Sequence, residues 1–167
     1  MRTILAVALL AVGAAGLSGQ DDKKYEKEGK FTAKFPTAPR VVTKSAMGLT
    51  LTVVVSEQEK DKGGYMVIYT DIPPEKVKAP TPDQVLDSGK KALEEDFKLK
   101  NVKADPDAFG PKKYPARNIT GDREQLSLKG KIVLVGNRLY QVYAFGPKEF
   151  VSGKETDEFL ASFAITD

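Results

Sequence analysis

The chain contains no histidine, no cysteine and no tryptophan among its 167 residues. Each absence removes a class of chemistry. Without His there is no imidazole base, no His-paired nucleophile and no His metal ligand. Without Cys there is no disulfide, no thiolate catalysis and no Cys-bound zinc. Arginine is scarce too, with 5 Arg against 21 Lys. Lysine is a mobile, strongly hydrated point charge, whereas the arginine fork grips phosphate and carboxylate. No run of Lys and Arg exceeds two residues, so the formal charge of +3 reads as solvated surface. A clustered basic footprint is missing, and no nucleic-acid partner is expected. Carboxylate pairs, Lys, Tyr and Ser are all that remain for catalysis.

Only one long apolar run is present. It extends from Ile4 to Ala15, interrupted by Gly13, after the positive start Met1-Arg2. Gly16-Leu17-Ser18-Gly19 follows, and charge begins at Asp21. This is the layout of a signal peptide over residues 1–20, with cleavage expected between positions 15 and 20. The run is too short for a comfortable membrane span. Gln20 stands where a bacterial lipoprotein would need its lipidated Cys, so no stable membrane anchor is expected. The expected destination is the periplasm or the extracellular space. Residues 21–167 then form a single domain of about 147 residues, able to bury about two-thirds of the unfolded chain's surface. Without Cys, packing alone must hold it.

Asp21 to Lys30 is charged and reads as a loose lead-in. Phe31 to Phe35 alternates apolar and polar up to Pro36, a strand pattern. Thr37 to Gly48 reads as a turn and a second strand around Val41-Val42. Leu49, Leu51, Val53 and Val55 share one face of a strand that forms a hairpin with Tyr65–Thr70, across a turn at Lys60–Gly64. Three prolines make Ile72–Pro80 a rigid connector. Thr81-Pro82-Asp83-Gln84 predicts a helix start with a capping box. Val85, Leu86, Gly89, Ala92, Leu93 and Phe97 recur at helical spacing. Lys90/Glu94, Lys91/Glu95 and Glu94/Lys98 pairs lie on the other face.

Strand patterns return at Val102–Ala108 and Pro115–Arg123. Lys131–Val135 and Arg138–Phe145 flank Gly136-Asn137, a two-residue hairpin signal. Both faces of this hairpin are apolar: Ile132 and Leu134 oppose Val133 and Val135, while Leu139, Tyr143 and Phe145 oppose Tyr140 and Val142. Such strands must be covered on both sides. Ser152 and Glu155 suggest a second capping box before a closing helix carrying Phe159, Leu160 and Phe163. Phe109-Gly-Pro-Lys-Lys-Tyr114 echoes Phe145-Gly-Pro-Lys-Glu-Phe150, but the segments between do not align and the echo reads as a coincidence of turn chemistry.

The mature chain resembles the PsbP-like family in several stretches. They are Gly29-Lys-Phe-Thr-Ala-Lys-Phe-Pro36, Gly64-Tyr-Met-Val-Ile-Tyr69, Tyr114-Pro-Ala-Arg117, the hairpin Val133–Gln141 with Gly136-Asn-Arg-Leu-Tyr140, and Phe159-Leu-Ala-Ser-Phe163. In order they span residues 29 to 165. The resemblance implies an α+β fold, a central antiparallel β-sheet flanked by helices in an α/β/α sandwich. It also implies function by binding other proteins: the family includes a luminal photosystem II subunit, a Ran-binding import factor and bacterial envelope proteins. The long binding tail of the photosynthetic member is missing before the first strand, so a photosynthetic role is unsupported.

No catalytic signature stands out. Asp105-Pro-Asp107 with Gly110 imitates half a calcium loop, but Ala116 stands where the closing glutamate should be, and turn residues are the expectation. Glu94-Glu95-Asp96 lies among lysines on a solvated helix face. Ser88 and Lys91 are spaced for contact on one helix turn, but a surface contact is the plainer reading than a catalytic dyad. Asn118-Ile119-Thr120 has the form of a glycosylation sequon within a predicted strand. No cofactor and no enzymatic activity are expected. Tyr114, Arg117, Arg138 and Tyr140 are the candidate binding residues, because Tyr and the scarce Arg are enriched at interface hot spots; sheet packing and a salt bridge are their plainer alternative. The expected function is an exported, non-catalytic binding or scaffold module contacting an envelope protein. The alternatives are a carrier of a small apolar molecule or lipid, which a pocket between helix and sheet would favour, and, last, a hydrolase using carboxylates alone.

Overall fold

Strands that are apolar on both faces can exist only inside a layered molecule, and the computed structural model, which describes residues 24–46, 48–58, 63–74 and 81–166, supplies both covers. A short helix α1 (Lys24–Gly29) leads into strand β1 (Phe31–Thr32). Strands β2 (Arg40–Ala46), β3 (Leu49–Glu57) and β4 (Gly64–Asp71) follow. Helix α2 (Pro82–Phe97) precedes β5 (Lys100–Phe109), β6 (Tyr114–Arg123), β7 (Leu126–Val135) and β8 (Arg138–Gly146). Helices α3 (Lys148–Val151) and α4 (Lys154–Ser162) and strand β9 (Ala164–Ile165) complete the order. Seven strands form one sheet in the order β2-β3-β4-β8-β7-β6-β5, every pair antiparallel. β1 and β9 form a separate two-stranded ribbon.

The two faces of the sheet carry two cores. On one, Ile132, Leu134, Leu139, Tyr143 and Phe145 pack with Val85, Leu86, Leu93 and Phe97 of α2. On the other, Val133, Tyr140 and Val142 pack with Phe31, Phe159, Leu160 and Phe163. This is the split of the β7–β8 hairpin that the alternating pattern predicts. Gly136 turns the hairpin with φ +59° while Asn137 keeps a negative φ, the pattern of a type II′ turn. Helix α2 starts as expected: the Gln84 N–H donates to Thr81 Oγ1 (3.3 Å) and the Thr81 N–H donates to Gln84 Oε1 (2.8 Å). The Lys90–Glu94 pair forms at 2.8 Å.

Four expectations are corrected. Lys24–Gly29 is helical rather than loose, because sheet groups hold its C-terminal carbonyls, as described below. The alternation at Phe31–Phe35 is real, with Phe31 and Ala33 buried, but laddering stops after Phe31↔Ile165 and Thr32↔Ala164 since β9 offers only two residues. The second capping box does not form. A short helix occupies Lys148–Val151 and ends at Ser152, whose hydroxyl donates to Glu149 O (3.3 Å), leaving Gly153 at the N-cap of α4. Asp105-Pro-Asp107 lies within edge strand β5 and only Gly110 is in a turn. The paired Phe-Gly-Pro segments also part company: Gly110 turns β5 into β6, whereas Gly146 ends β8 and Pro147 precedes α3. The signal-peptide region and part of the expected Lys60–Gly64 turn lie outside the described residues.

Two glycines show opposite constraints. Gly89, inside α2, faces Leu139 and Ile132, and a Cβ there would rest at 3.4–3.6 Å from them, ordinary contact. Gly130, mid-strand in β7, faces the Tyr143 ring, and a Cβ there would collide with the Val142 carbonyl. Gly89→Ala should therefore stabilise the fold by about 0.5–1 kcal/mol, the helix-propensity gain. Gly130→Ala should destabilise it by roughly 1–3 kcal/mol, the range for overpacking. Urea unfolding of the two variants checks both signs.

Candidate functional site

Three of the four candidate binding residues converge. Arg138 opens β8, Tyr140 follows two residues later on the same face, and Tyr114 opens β6. Together with Lys30, Asp71, Val135, Asn137, Ile165 and Thr166 they line a shallow cleft of about 460 Å³. Arg117 is elsewhere. It points to the opposite face, where it ion-pairs Asp83 at 2.5 Å and approaches Asp87 at 3.9 Å, two acids in the N-terminal half of α2. Arg117 therefore ties the helix to the sheet. The plainer salt-bridge alternative holds for it.

Arg138 organises one wall of the cleft. Its Nε and Nη2 donate to the two carboxylate oxygens of Asp71 at 2.7 and 2.6 Å, a bidentate pair made directly across the β4–β8 ladder. Its Nη1 donates to the carbonyl of Glu28 at 2.8 Å. Its guanidinium carbon lies 5.2 Å from the Tyr69 ring centroid, a cation–π contact. Every nitrogen of the fork is thus engaged, and lysine could not reproduce this geometry. Deeper in, the Tyr140 hydroxyl donates to the carbonyl of Gly29 at 2.7 Å. Two side chains of the sheet thereby satisfy two terminal carbonyls of α1, and a cation at a helix C-terminus is also favoured by the helix dipole. Lys30 follows in the left-handed conformation, φ +53°, and its carbonyl accepts from the Thr166 N–H at 2.9 Å. The amino-terminal and carboxy-terminal segments meet at this point.

The electrostatics follow from the geometry. The hydrogen bonds from Arg138 hold the Asp71 carboxyl below its usual range, against a smaller opposing effect of burial, and Lys30 adds a little. Asp71 in turn holds the Arg138 guanidinium above its own. Burial pushes the Tyr140 phenol up, partly offset by Arg138. At the far end, the Asn137 amide donates to Ile72 O (3.2 Å), and the Ile72 N–H donates to Asn137 O (2.8 Å), which fastens the chain leaving β4 to the hairpin turn.

The remaining candidates take structural roles. The Ser88 hydroxyl donates to Gln84 O at 2.8 Å, back-bonding within the helix. Asp107 accepts from the Ala108 N–H (2.8 Å) and from Asn118 Nδ2 (3.1 Å). Among the described residues no three metal-ligating side chains converge. The space between helix and sheet, where a carried apolar molecule would sit, is filled by Leu86, Leu93, Phe97, Ile132 and Tyr143, all buried. Sequence reading missed Lys30 and Asp71. Asp71 lies 67 residues from Arg138, and only the β4–β8 register makes them neighbours.

No protein-family profile matches the chain, and no curated protein does. Among solved structures, the solution structure of cyanobacterial PsbP (CyanoP) from Synechocystis sp. PCC 6803 matches with a TM-score of 0.53. The match covers 94% of this chain and 98% of that one at 14% identity. The fold is PsbP-like, as the resemblance implied. Among the described residues no helix is long and apolar enough to cross a membrane.

The clamp makes a signed prediction. A carboxyl held below its unfolded value stabilises the fold above that value, about 3.9 for Asp, and loses its contribution as pH falls through the folded value. Docking of residues 24–30 should therefore hold at neutral pH and weaken below about pH 4. Asp71 is 54% exposed, so its share is about 1 kcal/mol after solvent screening. In Asp71→Asn that acid-dependent component should vanish. In Arg138→Lys, amide exchange should rise at residues 24–30 while the seven-stranded sheet keeps its protection. Hydrogen exchange across a pH series reads both effects.

Proposed function

We propose that the protein is an exported, non-catalytic binding module that receives a partner protein in the Arg138–Tyr140–Tyr114 cleft. The observation that carries this reading is the fixed wall. Arg138, Asp71 and Tyr140 are locked by short hydrogen bonds before any partner arrives. Preorganisation of this kind lowers the ordering cost of association. Beside the locked wall stands the Tyr114 ring, a side chain of the kind that anchors interfaces, and the Lys30 side chain lines the cleft with it. The cleft volume of about 460 Å³ suits a few side chains of a partner loop and not a large cofactor. Export follows from the signal-peptide pattern of residues 1–20. The absence of His and Cys narrows the catalytic repertoire and supports a binding role. The PsbP-like resemblance, with its habit of protein binding, points the same way.

Site-specific photo-crosslinking in the producing cell tests the proposal. A photoreactive side chain at Tyr114 should give one discrete adduct of higher mass, and Lys30→Glu should abolish it. The same group at Val41, on the far edge strand and 48% exposed, should give none. No adduct from Tyr114, or equal adducts from both positions, would overturn the proposal.

A further inference from the structure

A second recess, of about 320 Å³, lies on the other end of the same sheet face. Asn118 and Thr120 of β6, Lys129 and Lys131 of β7, and Leu160 and Ala161 of α4 line it. The two lysines stand two residues apart on one strand and face the same way, yet their surroundings differ. Lys129 Nζ is ion-paired with Asp157 at 2.6 Å. Lys131 is half-buried, and among the described residues no carboxylate reaches it at ion-pair distance. Its Nζ sits 5.0 Å from the centroid of the Phe109 ring instead. Asp107 of β5 is the carboxylate whose charge acts on it, and that carboxylate already accepts from Ala108 and Asn118. Burial pulls the ammonium below the usual lysine range, and Asp107 only partly restores it.

We propose that Lys131 is a nucleophilic amine that captures small aldehydes with an apolar body, seated in this recess, as a reversible imine. A lysine amine is activated by removal from water, and the half-burial of Lys131 supplies that removal. The volume stands at the lower end of small-molecule sites, roughly 300–1,000 Å³. Leu160 and Ala161 offer the body an apolar seat, and the Thr120 hydroxyl and Asn118 amide sit at the polar rim. In the step, the neutral Nζ adds its lone pair to the carbonyl carbon and the oxygen takes up two protons in turn from water. The C–O bond then breaks, one water leaves, and nitrogen gives its displaced protons to solvent. Amine and aldehyde become imine and water, with no oxidant or reductant. The site is separate from the cleft and does not depend on its partner.

Limiting benzaldehyde with a cyanoborohydride trap, followed by peptide mass spectrometry, tests the assignment. At neutral pH the benzyl adduct should form on Lys131 severalfold faster than on Lys129 or on Lys154, whose side chain is 89% exposed. Ala161→Phe, an exposed helix position, should fill the recess and slow labelling of Lys131 without changing Lys154. Lys131→Arg keeps the cation over Phe109 and should remove the fast phase. Labelling that simply follows exposure, or a fast phase that survives Lys131→Arg, would overturn the proposal. Fast labelling unaffected by Ala161→Phe would overturn the recess as the seat of the aldehyde.

Discussion

Burial of β8 on both faces is the constraint from which the rest of the molecule follows. Eight of its nine residues are buried, and it sits in the middle of a seven-stranded sheet. A strand so placed must be covered twice, once by α2 and once by the aromatic layer of Phe31, Phe159 and Phe163. With no disulfide available, that double covering supplies the stability, at about 1.5–3 kcal/mol for each large apolar side chain fully buried. The two covers come from distant parts of the chain. Phe31 and Phe163 meet at a centroid distance of 5.6 Å, which brings both ends of the domain together over Tyr140. The β1–β9 ribbon is a consequence of that meeting and is too short to drive it.

What could be read from the sequence was whatever is local and periodic. The II′ turn at Gly136-Asn137, the two-sided hairpin, the capping box at Thr81 and the apolar stripe of α2 all depend on residues within a few positions of one another. Misreadings fell where tertiary contacts outweigh local preference. Lys24–Gly29 is too short and too charged to be a helix alone. It forms because Arg138 and Tyr140, more than a hundred residues away, accept the task of capping it. Ser152 was drawn out of its expected N-cap because Pro147, immediately after a strand buried to its end, already starts a helical turn. Arg117 and Arg138 look alike in sequence, each in a strand pattern between one apolar neighbour and one asparagine. Strand parity and register alone send one toward Asp83 on α2 and the other toward Asp71 on β4.

The Arg138 clamp joins stability to function. Its bidentate bond to Asp71 is half-exposed and adds little energy by itself. Its larger effect is positional. By engaging Asp71, the Glu28 carbonyl and the Tyr69 ring together, it fixes the angle at which α1 leaves the sheet and thereby the position of Lys30. The cleft is defined by that angle. A lysine in the same place would leave the amino-terminal segment to fray, since local stability at a chain end depends on such anchors.

The sheet edges explain why contacts should concentrate in recesses. An edge strand invites pairing with any extended chain unless something blunts it. In β5, alternate residues turn their backbone groups outward. Pro106 has no N–H to offer, and the outward Ala108 N–H is taken by Asp107 at 2.8 Å. β2 carries Arg40, paired with Glu57 at 3.1 Å, and Lys44 within seven residues. Charge and proline at the two edges discourage indiscriminate strand addition. Partner recognition is thereby left to the side chains of concave surfaces, where the positions of a few groups, and not the length of a free edge, decide what binds.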